Sequence, residues 1–147
     1  MRTLQAGEAW STHGAWIQQV KPKFGDAIAE RFHAVSQVGS ADIAECKPER
    51  EAIAGHMAAL LAGGAVLAVP AAPTIAPLRG SSDAVLTKLR GDAQFITCIA
   101  GLARLPQISL PLCTFDGCPL ALGLIAARGN DGMLLDIAAE VSANIAN

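Results

Sequence analysis

The stretch QISLPLCTFDGCPLALGLIAA, residues 107–127, restricts the fold of this chain more than any other. Ile108, Leu110 and Leu112 alternate with Gln107, Ser109 and Pro111; Leu120, Leu122 and Leu124 alternate with Ala121, Gly123 and Ile125. A period of two puts one set of side chains on one face, so both segments read as strands. The two are joined by CTFDGC with Asp116-Gly117 as the turn signal, so they read as a hairpin. Cys113 and Cys118 flank that turn and are expected opposite one another, with Cβ atoms about 4.5–5.5 Å apart. In a reducing compartment they stay two packed thiols rather than a disulfide. RGNDG, residues 128–132, leaves the second strand for a helix from Met133 to about Ile145, capped by Asn130 or Asp131.

Upstream, AVLAVP (65–70) is a short unbroken apolar run between a Gly pair and a proline. That pattern suits a strand buried on both faces, as in the parallel part of a covered sheet. AAPTIAPLRGSSD then reads as a proline-rich loop. A helix follows from Ser82 or Asp83, expected to break at Gly91 and to end at Gly101, with Val85, Leu86, Leu89, Phe95, Ile96 and Ile99 at helical spacing. The first part of the chain is helical. Thr3 would cap a helix through Trp10, Ser11 or Thr12 a second carrying Trp16, Ile17 and Val20, and Pro22 ends it. Ile28, Phe32 and Val35 mark a third helix, ending near Gly39. Ser40 caps a fourth, which Pro48 kinks or restarts, with Ile53, Met57, Leu60 and Leu61 facing inward. The expectation is an α/β chain of one domain over residues 1–147: helical over 1–62, strand, loop and helix over 65–103, hairpin and final helix over 106–147. No internal repeat is visible.

Composition narrows the function classes. The 147 residues are 52% hydrophobic with a formal net charge of -2, and the eleven Lys and Arg are scattered, so no basic stripe exists to hold nucleic acid. Residues 52–72 carry one ionisable side chain, His56, but are built on Ala and Gly and interrupted by Gly63, Gly64 and Pro70. A membrane span needs more Leu, Ile and Phe, so no membrane partner is expected. Met1–Trp10 lacks a signal-peptide apolar core, and the expected location is the cytoplasm. Cys46, Cys98, Cys113 and Cys118 form no CxxC pair, and His13, His33 and His56 stand singly, so neither a metal site nor any other cofactor is expected.

Two segments invite chemistry. GSSD (80–83) with Lys88 nearby suggests a serine nucleophile and its base; the same letters describe a loop closed by a helix N-cap, and no glycine follows Ser82 to open an oxyanion hole. RGNDG could hold an anion at a helix N-terminus, yet it lacks GxGxxG and GxxxxGK[ST], and a capped turn explains it equally. Neither displaces its plainer reading, and no catalytic residue is assigned.

The order of segments LQAGEAW, HGAWI, VLAVPAAPTIAP, IAGLARLPQISLPL and DGCPLALGLIAARGNDGMLL resembles the C-terminal third of the amidase signature family, in the branch of the indole-3-acetamide hydrolases. The resemblance rests on the series: a strand running into a proline loop, a helix, x-P-x-x-S-x-P, then D-G-x-P and a strand leading into G-x-D. It implies a mixed sheet covered by helices, ending in a hairpin and a helix, and hydrolysis of a carboxamide to a carboxylate and ammonia. The family's Lys, cis-peptide Ser and nucleophilic Ser have no matching positions in this sequence. What the resemblance carries over is a pocket wall: Thr97, Cys98 and Gly101, on the helix that leads into the proline strand, are the candidate substrate contacts. At Arg104 the family usually has glycine, which implies a backbone position suited to positive φ or to close packing.

The resemblance therefore implies part of an amidase without its nucleophile: a truncated remnant, an internal start within a longer enzyme, or one half of a split pair. Its expected partners are a small amide, reached only when an N-terminal amidase segment completes the site, and that segment itself or a second copy of the chain. The alternative is a non-catalytic interaction module built from an amidase tail.

Overall fold

The computed structural model describes residues 1–145. They form two compact units, residues 1–52 and residue 53 onward.

In the first unit, helix α1 (Arg2–Val20) runs without a break where two helices were expected. The hydroxyls that would have capped a second helix donate to their own helix instead, Ser11 Oγ and Thr12 Oγ1 each reaching the Glu8 carbonyl at 2.9 Å. The helix ends as Pro22 requires: Lys21 turns left-handed (φ 48°) and its N–H caps the Ile17 carbonyl. Helix α2 (Asp26–Ser36) follows, and then α3 (Ser40–Leu60), whose residues from Ile53 on belong to the second unit. The Asp42 carboxylate reaches back to the Gly39 N–H at 3.1 Å, closing the start of α3. Helix α3 continues through Pro48 as one element, neither stopping nor restarting there. Helices α1 and α3 approach closely at Gly7, where a Cβ would lie 2.5 Å from Ile43 Cδ1. Aromatic rings fill the α1–α2 contact: Phe24 stacks on Phe32 at 5.1 Å, with Trp16 and His13 edge-on to Phe24 and Phe32, both at 6.4 Å. His13 is thus a packing histidine.

The second unit is built on a three-stranded sheet of β1 (Val66–Pro70), β2 (Gln107–Phe115) and β3 (Cys118–Ala126), in the order β1-β3-β2. Both pairings are antiparallel, so the parallel neighbour expected of β1 is not found among the described residues. Gly63 and Gly64 take φ values of 72° and 85° in the short 3-10 turn that leads α3 into β1, a conformation that costs a side-chain-bearing residue more. Helix α4 (Asp83–Ala103) precedes the hairpin and α5 (Asp131–Ile145) follows it. Asp116 and Gly117 sit at φ 48° and 72°, the paired positive values of a two-residue turn, tighter than the four-residue loop that opposed cysteines would need.

β1 packs on both faces, Leu67 and Val69 on one cluster and Val66 on the other, but the strand buried most deeply on both is β3. Ile125 lies at 0% exposure among Met57, Leu61, Ala100 and Ala103, with Leu67 and Val69 of β1 against the same cluster. Its neighbours Leu124 and Ala126 face the other way, onto Leu110, Leu134 and Ala138. Period-two geometry makes this unavoidable once helices cover both sides of a central strand. The stripe read on α3 is only half inward: Met57 and Leu61 are buried, whereas Ile53 and Leu60 are exposed. Helix α4 passes Gly91 unbroken, with an i,i+4 pair of Lys88 and Asp92 spanning it, and ends beyond Gly101, at Ala103.

The thiols are not opposite one another. Cys113 pairs with Leu120 and Cys118 with Phe115, because the turn holds only Asp116 and Gly117 and the strands pair right up to it; the irregularity between Leu110 and Cys113 lies beyond, and shifts the register of residues 107–110 by one. The two cysteines are diagonal neighbours on one face, about 7–8 Å apart in a typical ladder, and both are free thiols.

Candidate functional site

The GSSD loop closes as a helix cap. Ser82, extended at φ -63° and ψ 155°, accepts the Val85 N–H on its Oγ at 3.4 Å and starts α4. Ser81 Oγ donates to the Leu78 carbonyl at 2.8 Å. Lys88 Nζ meets Asp92 Oδ2 at 2.5 Å. Each group that a serine hydrolase would need free is tied to a structural partner, so the nucleophile reading gives way to the capped loop.

The same segment nevertheless borders a cleft of about 400 Å³ between the proline-rich loop and the first half of α4. Ile75, Pro77, Val85 and Leu89 make its walls apolar, and Ser81, Lys88 and Asp92 add polar atoms. Such a lining can hold an apolar group and orient it with one or two hydrogen bonds. It supplies no activated nucleophile.

The three pocket candidates lie elsewhere, on the second half of α4. Thr97 and Gly101, four residues apart, share one exposed stripe, and Cys98 is half-buried beside it. The Thr97 hydroxyl donates to the Ala93 carbonyl at 2.9 Å and the Cys98 thiol to the Phe95 carbonyl at 3.4 Å. None of the three lines the cleft. Both polar side chains are satisfied within the helix, so they offer shape and an oxygen or sulfur lone pair rather than a reactive proton donor.

RGNDG is a turn into α5. Gly129 takes φ 84°, the Asn130 N–H donates to the Ala127 carbonyl at 3.1 Å, and the Asn130 carbonyl receives the Leu134 N–H at 3.0 Å. Among the described residues, no three His, Cys, Asp or Glu side chains gather as a metal site would require, and no helix is long and apolar enough to cross a membrane.

Periodicity missed the outward-facing apolar residues. Phe95, which shares helical spacing with Ile96 and Ile99, is 82% exposed, and Leu78 in the proline loop is 85% exposed. Single-sequence spacing cannot separate a helix covered on one side from one covered on two. Arg104, by contrast, does as its position implied: φ 59° and ψ 44° put it in the left-handed region at the end of α4.

Helices flanking a three-stranded antiparallel sheet that ends in a hairpin and a helix define an α/β segment. The sequence profile of the Amidase family matches residues 8–135, and the chain belongs to that family. It is 33% identical over 145 residues to Amidase 1 of Arabidopsis thaliana, covering 99% of this chain and 34% of that protein. It is also 29% identical over 136 residues to Translocon at the outer membrane of chloroplasts 64 of Pisum sativum, covering 92% of this chain and 23% of that protein. Among solved structures, a crystal structure of an amidase superposes with a TM-score of 0.80 at 22% identity, over 97% of this chain and 34% of that one. The chain thus spans about a third of the length of the curated amidase it matches.

Proposed function

We propose that residues 1–147 form the C-terminal part of an amidase that converts a small carboxamide to a carboxylate and ammonia in the cytoplasm. In this reading the Lys and two Ser of the triad come from the preceding part of the fold. The segment described here contributes a wall of the acyl pocket through Thr97, Cys98 and Gly101. The amide preference follows the indole-3-acetamide branch that the sequence resembles. The observation that carries the reading is the family match over 8–135, combined with the capping role of Ser82 and the Lys88–Asp92 pairing. Together they support reading the segment as part of an amidase whose nucleophile lies elsewhere.

The test is ammonia release from indole-3-acetamide and from simple aryl and alkyl amides. Even enzymes stripped of their triad retain only about 10³–10⁴-fold acceleration over water, and that requires an oxyanion hole. The isolated chain is expected to stay at the buffer rate, and turnover to emerge on addition of an N-terminal amidase polypeptide. Steady turnover by the chain alone, lost in Ser82→Ala, would overturn the reading.

A second reading, an interaction module derived from an amidase tail, draws on the similarity to a protein named as a translocon component. It predicts partner binding with no turnover in any mixture.

A further inference from the structure

The tip of the hairpin holds a reactive dipeptide at the point where the backbone is least restrained. The Ala126 N–H donates to the Pro106 carbonyl, so the even-numbered residues of β3 are those bonded to β2. The extra residue of the irregularity lies in β2, which leaves the alternation along β3 unbroken down to Cys118. The pair Phe115 and Cys118 therefore closes the ladder, and Asp116 and Gly117 alone make the turn. In such a turn the peptide unit between the two central residues has both its carbonyl and its N–H outside the ladder. Asp116 and Gly117 are exposed, and a Cβ at Gly117 would meet nothing within 4 Å. Among the described residues the Asp116 carboxylate has no hydrogen-bond or ion-pair partner.

An aspartate side chain can be attacked by the backbone nitrogen of the next residue, closing an imide ring. Glycine leaves that nitrogen unshielded because it carries no Cβ. The chain has two such pairs, Asp116-Gly117 and Asp131-Gly132, and both are exposed. The fold separates them. At φ 48° and 72° the first pair forms a type I′ turn. Turning its central peptide over gives the type II′ turn, in which Asp116 keeps its positive φ and takes ψ of about -120°. No ladder bond breaks, and the Gly117 nitrogen comes to the side-chain carboxyl carbon, as the imide ring requires. Asp131, the first residue of α5, is held near helical ψ, about -42°. Its carbonyl accepts the N–H four residues on, so the same rotation there breaks a bond of the helix.

We propose that the Asp116-Gly117 turn is a site of spontaneous isoaspartate formation, the favoured one of the two Asp-Gly pairs, and that the change opens the hairpin at Phe115 and Cys118. The Gly117 nitrogen bonds to Asp116 Cγ, and the hydroxyl of the protonated carboxyl leaves as water with the nitrogen's proton. Water then adds to the imide. Breaking the bond between the Gly117 nitrogen and Cγ restores aspartate. Breaking the bond between that nitrogen and the Asp116 main-chain carbonyl carbon leaves isoaspartate, with the chain running through Cγ and the former main-chain carbonyl now a free carboxylate. Composition is unchanged, but the main chain is one methylene longer than a two-residue turn accommodates. The proposal is independent of the amidase reading.

The test is to age the chain at neutral pH, once folded and once in urea, and to digest both samples with trypsin. Cleavage after Arg104 and Arg128 places the two Asp-Gly pairs in separate peptides. Chromatography resolves the isomers of equal mass, fragmentation locates them, and a methyltransferase specific for the isoaspartyl carboxylate labels them. In the folded chain isoaspartate should form at residue 116 about fivefold or more faster than at residue 131, the effect of one helical hydrogen bond that must open first. In urea, where neither turn nor helix persists, the two rates should converge. Hydrogen exchange of the isomerised, folded fraction should show the Cys118 amide losing protection while the Leu124 amide, further along the same ladder, keeps it.

Gly132→Ala removes the competing pair and leaves the hairpin untouched, so the rate at residue 116 should not change; a fall would show that residue 131 supplies the signal. Isoaspartate forming at residue 131 as fast as at residue 116 in the folded chain overturns the proposal. So does its absence at residue 116 in the folded chain when the chain in urea forms it, because the turn would then protect the aspartate. Unchanged Cys118 protection in the isomerised fraction overturns the opening of the hairpin.

Discussion

Replacing Arg104 by glycine should stabilise the chain. Arg104 ends α4 in the left-handed region, φ 59° and ψ 44°, with its N–H capping the Ala100 carbonyl, which also receives the Leu105 N–H at 3.0 Å. A residue with a Cβ pays about 1–2 kcal/mol there. Glycine escapes that cost but loses about 0.5–1 kcal/mol more backbone entropy on folding. The difference leaves Arg104→Gly more stable by about 0.5–1 kcal/mol, or about 1–4 °C in Tm for a chain of this size. Arg104→Ala is the control, because it removes the guanidinium and every contact it makes while keeping the Cβ and its clash. Both tryptophans, Trp10 and Trp16, lie in the first 52 residues. The assay is therefore urea unfolding followed by far-ultraviolet circular dichroism rather than by tryptophan fluorescence. A glycine variant no more stable than the alanine variant would refute the strain argument.

Gly123→Ala should cost about 1–3 kcal/mol, the usual price of overpacking, because its Cβ would stand 2.9 Å from Gln107 Nε2 and 3.2 Å from the Val69 carbonyl oxygen. An unchanged urea midpoint would show that β1 and β2 can yield at this point. Chain purified without reductant should titrate with all four thiols free, and exposed Cys113 should react first with a thiol reagent. A tryptic peptide linking Cys113 to Cys118 with the loss of two hydrogens would show that the diagonal placement is wrong.

The sequence determined by itself whatever depends on neighbours a few residues apart. Asp116-Gly117 specified the turn because its backbone demand is local, and the alternation on each side specified two strands. Ser82 announced a helix start, Gly63-Gly64 and Pro70 bounded β1, and the series from LQAGEAW to GMLL announced the family. Tertiary structure decided what depends on covering. Ser11 and Thr12 have the chemistry of caps, but α1 continues through them and their hydroxyls turn to the Glu8 carbonyl. Pro48, Gly91 and Gly101 read as breakers, yet α3 and α4 run through them. Residues 114–117 could loop as four or turn as two, and the tighter turn, with Phe115 paired to Cys118, set Cys113 opposite Leu120. Whether β1 or β3 lies at the centre of the sheet is likewise absent from either strand's letters, since both are apolar. The answer lies in which strand receives partners on both sides, and that is a property of the whole fold.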